Sequence, residues 1–314
     1  MKSIYFSLLL LFLPKFAISQ ISENDKLILL DSTHMVTTSN EYTFYRIIKD
    51  YNLNKDNYTI LEYYKSGVLQ MEGTSKNKEG FSKEGELTYY YENGKKKSIT
   101  NYITGRVSGK DIEWYDNGAK KLEGEYIQDE NKRTAQHKIN QFWDVNGVQK
   151  VSDGNGIFAD QGENETTKGA IKNGFKDGLW EGTFKKSNSS YQETYQDGKI
   201  ISGISTDKNG ETYTYTEVEI APNPKNGIMD FYKFIGKNYR TPEKQGLKGK
   251  VYITFVVDKE GKIVEPKILR DLGYGTGEEA IRVVTAYTDF IPGVQRGQKV
   301  RCTYSLPISI QSAR

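Results

Sequence analysis

Three rhythms of apolar and polar positions follow one another along the chain. An apolar run from Ile4 to Leu13 comes first, with Lys2 before it and Pro14-Lys15 after it. From about residue 57 to 215, pairs of aromatic residues close short alternating stretches and are followed by a polar turn and a glycine. Beyond residue 220 aliphatic residues take over: Ile228–Ile235 has helical spacing, and Val251, Ile253, Phe255 and Val257 alternate with period two. Each rhythm predicts a different kind of element.

The first run, with Ala17-Ile18-Ser19 ahead of Gln20, has the three-part layout of a secretory signal. It falls short of the roughly 20 apolar residues a spanning helix needs. Cleavage after Ser19 is expected. It removes Lys2 and Lys15 and lowers the formal charge from +3 to +1. That balance is too near neutrality for a surface that tracks phosphates, so no nucleic-acid partner is expected.

The second rhythm is a repeat. Tyr63-Tyr64-Lys65-Ser66-Gly67, Tyr90-Tyr91-Glu92-Asn93-Gly94, Trp114-Tyr115-Asp116-Asn117-Gly118 and Phe142-Trp143-Asp144-Val145-Asn146-Gly147 share one template. The aromatics end one strand, a Ser-Gly or Asn-Gly step supplies the positive φ of a tight turn, and a polar strand such as Ala119–Tyr126 returns. Gly174-Phe175-Lys176-Asp177-Gly178-Leu179-Trp180-Glu181-Gly182 and Tyr195-Gln196-Asp197-Gly198-Lys199 repeat the idea, while Asp153–Thr167 reads as an insertion. These motifs resemble MORN repeats of the kind found in bacterial exported proteins. The resemblance implies an elongated, twisted stack of hairpins in which each buries its aromatic face only against its neighbours. The tyrosine rows are then core first; as a surface they would contact envelope glycan or lipid.

Composition shifts at Ala221-Pro222-Asn223-Pro224, where the domain boundary is placed. The helix from Ile228, a strand over Gly249–Asp258, the turn Asp258-Lys259-Glu260-Gly261, a strand over Lys262–Arg270, a helix over Glu278–Tyr287 and a last strand over Lys299–Ile310 give the order α, β, β, α, β. Gly249–Asp258, Gly261-Lys262-Ile263, Glu279-Ala280-Ile281-Arg282, Pro292-Gly293, Gly297-Gln298-Lys299-Val300 and Leu306-Pro307-Ile308 resemble the TonB C-terminal domain. Phe290-Ile291 stands where that family usually has Trp before Pro-Gly, and Tyr239-Arg240-Thr241-Pro242 splits its usual Tyr-Pro pair.

The resemblance implies a Gram-negative envelope protein, periplasmic or in the outer envelope, that binds a short peptide of an outer-membrane receptor by strand addition. Strand addition needs an edge with unpaired N–H and C=O groups. The last strand is the candidate edge, with Val300, Arg301, Cys302, Thr303, Tyr304, Ser305 and Leu306 as its docking residues; Pro307 removes one donor from it. The family also includes energy transducers, which carry a retained anchor helix and a long Pro-rich spacer, and neither feature is legible here. A structural scaffold adhering to glycan or lipid and an anchored transducer for transmembrane transport are the alternatives.

The remaining composition narrows the chemistry. Cys302 is the only cysteine, so the chain has no internal disulfide framework. Hydrophobic residues make up only 36% of a chain that holds 23 Tyr, so large amphipathic rings must build much of the core. Gly154-Asn155-Gly156 is turn chemistry without the strand and helix of a dinucleotide fingerprint. His34 and His137 have no metal-ligand spacing, and no Gly-x-Ser-x-Gly elbow occurs. No enzyme activity, cofactor or metal is expected. The expected fold is mainly β with a small α+β C-terminal domain, divided into 1–19 signal peptide, 20–56 lead-in, 57–219 hairpin repeats and 220–314 C-terminal module.

Overall fold

The computed structural model describes residues 21–34, 36–80, 82–129 and 134–312; the expected signal peptide lies outside them. The fold is mainly β, a long hairpin stack followed by a small α+β module. The stack comprises β1 (Lys26–Leu30), β2 (Phe44–Ile48), β3 (Tyr58–Tyr64), β4 (Leu69–Ser75), β5 (Lys83–Tyr90), β6 (Lys96–Ile103), β7 (Arg106–Trp114), β8 (Lys120–Gln128), β9 (Ala135–Trp143), β10 (Gln149–Ser152), β11 (Asn155–Gln161), β12 (Glu165–Lys172), β13 (Phe175–Phe184), β14 (Ser189–Gln196), β15 (Lys199–Thr206) and β16 (Thr212–Tyr215). These sixteen strands lie in one sheet in chain order. The chain packs into two compact units. One runs to Gly162 and takes in Thr166–Trp180 and Gln196–Lys199; the other comprises Glu163–Glu165, Glu181–Tyr195 and everything from Ile200 onward.

The repeat template explains the turns of the first unit. In the turn between β5 and β6, Gly94 donates to Tyr91 O at 2.9 Å and Tyr91 to Lys95 O at 2.9 Å, with Gly94 at φ 82°. That closure puts one extra residue into the ladder, and the pairing register shifts at Tyr89/Tyr90 as it does at Glu113/Trp114 before Gly118. The second aromatic of the template has its own task. The Tyr64 hydroxyl donates to Tyr90 O at 2.9 Å, Tyr91 to Trp114 O at 2.8 Å and Tyr115 to Trp143 O at 2.9 Å. Each repeat is thus tied to the next by a phenol reaching a backbone carbonyl, at about 1 kcal/mol per bond.

Packing on this sheet pairs rings with glycines. The Trp180 indole covers Gly169, where a Cβ would come within 2.2 Å of the ring, and its Nε1 donates to Ala170 O at 3.0 Å. Phe158 bridges Phe142 at 4.2 Å and Trp180 at 5.7 Å between ring centroids. The segment expected to be an insertion is instead regular: Asp153 and Gly154, both at positive φ, turn β10 into β11, and β11 pairs with β12 from Gly156↔Ile171 to Gln161↔Thr166. Its irregular sequence spacing concealed an ordinary strand pair. The lead-in residues supply β1 and β2, which pair with each other and with β3 around Leu29, Tyr45, Ile47 and Tyr63.

The C-terminal module is built from α1 (Ile228–Asn238), β19 (Lys248–Val257), β20 (Ile263–Arg270), α2 (Thr276–Thr285) and β24 (Cys302–Gln311), with short strands β17 (Glu219–Ile220), β18 (Asn223–Pro224), β21 (Phe290–Ile291), β22 (Gly293–Gln295) and β23 (Gln298–Val300). β19 lies between β20 and β24. Its alternation buries Val251, Ile253, Phe255 and Val257 on one face, where Leu306, Ile308 and Ile310 of β24 join Phe231, Ile235, Ala280, Val283 and Val284 of the helices. Phe290 sits inside this cluster against Phe231 at 5.2 Å and Tyr287 at 5.6 Å. The Asp258–Gly261 turn is held by the Asp258 carboxylate, which accepts from the N–H groups of Glu260 and Lys262.

The last strand differs from expectation. Lys299–Ile310 is broken at Arg301: β23 folds back on β22 through a turn at Arg296 and Gly297, both at positive φ, and only β24 pairs with β19. Two residues at positive φ are what a tight hairpin with the sheet's own twist requires. Val300 therefore pairs with Gly293 in a different sheet from the residues that follow it.

Candidate functional site

β24 has one bonded neighbour, β19, and its other edge carries no strand among the described residues. Beyond the Lys248↔Gln311 pair, Ser312 N donates to Leu247 O at 2.9 Å, so the even-numbered residues of β24 direct their backbone groups at β19. By the alternation of an antiparallel ladder, Thr303, Ser305, Ser309 and Gln311 turn their N–H and C=O groups to the open edge. Pro307 shares that direction and contributes only its carbonyl.

The seven residues expected to form the docking strand have different surroundings. Val300 lies in β23, and Arg301 is an exposed link whose guanidinium meets the exposed Glu265 carboxylate at 2.6 Å. Cys302, Tyr304 and Leu306 turn inward; Tyr304 stacks on Phe255 at 5.3 Å, and Leu306 is core. Burial, with the charge of Glu219 nearby, pushes the Cys302 thiol up. Thr303 and Ser305 are exposed at the open edge.

The open edge continues into a groove of about 440 Å3 between β24 and α1, lined by Tyr232, Ile235, Gly236, Tyr239, Thr241 and Pro307 to Gln311. Tyr232 is 43% exposed at its rim. Tyr239 is fixed by a hydroxyl bond to Thr276 O at 2.8 Å, and burial raises its phenol to about 12. Sequence reading missed this wall. The i, i+4, i+7 spacing of Tyr232, Gly236 and Tyr239 put them on one helical face, but only the packing of α1 aims that face at the edge strand.

Fold and site together define a β-hairpin-stack protein with a C-terminal α+β module, whose free sheet edge adjoins a groove of mixed polar and apolar lining. Residues 241–309 match the family model of the Gram-negative bacterial TonB protein C-terminal. The matched span covers β19, β20, α2 and most of β24, and this similarity marks the module as a TonB-like protein-interaction module of the cell envelope. No curated protein matches the chain. Among the described residues, no helix is long and apolar enough to cross a membrane, and no group of His, Cys, Asp and Glu side chains could hold a metal ion.

Proposed function

We propose that the C-terminal module docks an extended peptide of an outer-membrane transport partner by strand addition along β24, and that MORN-type hairpins form the scaffold carrying it. In this reading residues 1–19 are removed on export, 20–56 lead into the repeats, 57–219 are scaffold and 220–314 bind the partner in the periplasm or outer envelope. The observation that carries it is the pairing of an open strand edge with a groove. Backbone groups at Thr303, Ser305 and Ser309 supply the ladder, and the α1 wall receives alternate side chains of the incoming strand.

The opposite edge strand, β20, is less suited to pairing, and the rings of the repeats are already covered. β20 carries Pro266 and a positive φ at Glu265, where its register with β19 is irregular, so it is blunted as a pairing edge. In the repeats, Lys97 lies 5.5 Å over the Tyr91 ring, Lys120 5.7 Å over Trp143 and Lys121 5.8 Å over Tyr115. A sugar or lipid headgroup stacking there would first have to displace an ammonium group.

The test is titration of the isotope-labelled mature chain with N-terminal peptides of outer-membrane receptors. Amide shifts at Thr303, Ser305 and Ser309 are expected, and Ser305→Pro, which removes a second outward donor, should weaken them at least tenfold. The absence of any shift at millimolar peptide would sink the reading.

A further inference from the structure

Arg296 sits at the tip of the β22–β23 turn, far in sequence from the hairpins, yet its side chain is only 14% exposed and bonds to one of them. Its Nε donates to Glu193 Oε1 at 2.8 Å, and its guanidinium lies 3.9 Å from the centre of the Tyr191 ring. Glu193 is fully buried in β14 and accepts two further bonds, from the hydroxyls of Tyr195 and Tyr215 at 2.8 Å each. The backbone of Arg296 is held as well. Its carbonyl accepts from Ser205 Oγ at 2.7 Å, and its N–H donates to Val218 O at 2.7 Å. A planar cation stacked on a ring and bonded to a buried carboxylate is a built guanidinium site, and a lysine would not fill it.

The same region is stitched twice more by short ladders. Glu219–Ile220 pairs with Val294–Gln295, and Asn223–Pro224 pairs with Phe290–Ile291. The chain leaving the hairpins is thus bonded to the chain about to enter β24. The proline-punctuated stretch 221–224 has the composition of a flexible linker, but its neighbours are tied down on both sides.

We propose that Arg296 is a positioning residue that latches the C-terminal module to β14–β16, so that residues 216–227 do not act as a hinge and the entry into β24 is fixed by the hairpins. The latch operates whatever β24 binds. It makes the last hairpins part of the module's working structure, and load or orientation imposed at the edge strand passes into them.

The experiment is pulsed electron paramagnetic resonance on the mature chain in a Cys302→Ser background, with spin labels at Lys208→Cys and Lys259→Cys, both exposed turn positions. A single narrow distance peak is expected, and Arg296→Ala should widen it at least twofold while the circular dichroism spectrum is kept. A residue that merely stabilised the hairpins would lower the melting temperature and leave the peak width, read well below the melt, unchanged. Should Arg296→Ala fail to fold, Tyr191→Leu, which removes the ring under the guanidinium and leaves the Glu193 pair, is read in its place. A broad peak in the parent chain, or an unchanged width in the folded variant, overturns the proposal.

Discussion

The hairpin stack and the C-terminal module solve the same problem, holding a sheet face away from water, with different materials. The module uses a convergent apolar core of Phe231, Val251, Ile253, Phe255, Val257, Ile263, Val283, Leu306 and Ile308, contributed by two helices and three strands. The stack has smaller apolar clusters, such as Leu29, Tyr45, Ile47 and Tyr63, and buries carboxylates beside them: Asp25, Glu62, Asp111 and Glu193 are all 8% exposed or less. Only Thr254 and Thr276 are comparable polar residues among those described in the module. Among the described residues, an inner strand of the stack has two neighbouring strands in the sheet and much of its packing is with them, so directional bonds between adjacent strands take over much of what apolar packing does elsewhere. Stability in the stack should therefore be local, and in the module cooperative.

The largest test of that contrast is Phe231→Ala. The Phe231 ring is fully buried against Tyr287 at 4.8 Å and Phe290 at 5.2 Å, and its loss should cost about 4 kcal/mol. Hydrogen exchange should show β19, β20 and β24 losing protection together while β1–β9 keep theirs. Loss of protection in β1–β9 would break the contrast.

Next comes Arg46→Ala. Arg46 holds Glu62 Oε2 through Nε at 2.9 Å and Nη2 at 2.7 Å, while His34 Nδ1 meets Oε1 at 2.5 Å. Burial alone would raise the Glu62 carboxyl, but these partners hold it below its usual value. Removing the guanidinium strands a buried charge, at a cost of about 3 kcal/mol in urea denaturation. Arg46→Met with Glu62→Gln should recover part of that loss.

A pH series probes the same device more gently. Burial pushes the Asp25 carboxyl up, yet the Lys49 ammonium and the N–H groups of Ser22 and Asp50 bring it from 3.8 down to about 2. Because the folded value lies below the unfolded one, the stabilisation is complete above the ordinary carboxylate range. It is lost as pH falls from about 4 to about 2, amounting to roughly 2 kcal/mol. Thermal melts of Asp25→Asn should show that part of the acid dependence flattened.

The smallest effect is Tyr115→Phe, which deletes one bond of the phenol ladder, at about 1 kcal/mol. Faster exchange confined to β7–β10 is expected, and a change spread through the stack would contradict nearest-neighbour stability.

Much of the stack was legible because hairpin chemistry is local. The aromatic pair, polar turn and glycine occupy about five residues, and Gly94 and Gly118 turn the chain wherever that template occurs. Where the spacing slipped, at 153–167, the strands were still there and the reading failed. In the module, alternation located β19, and helical spacing located α1, observed to run on to Asn238. The expected docking residues were not sorted by side, because inward and outward positions on β24 depend on its register with β19.

What the sequence determined by itself, then, is the inventory of elements and the family likeness of residues 241–309, since turn type and periodicity act over a few residues. The tertiary structure decided which strand ends as a free edge, where the last strand breaks and what wall faces the edge. It also decided that Arg296 meets Glu193 across 103 positions of chain. Such contacts have no local pattern, because they are selected by the packing of surfaces that exist only after the hairpins and the module have formed.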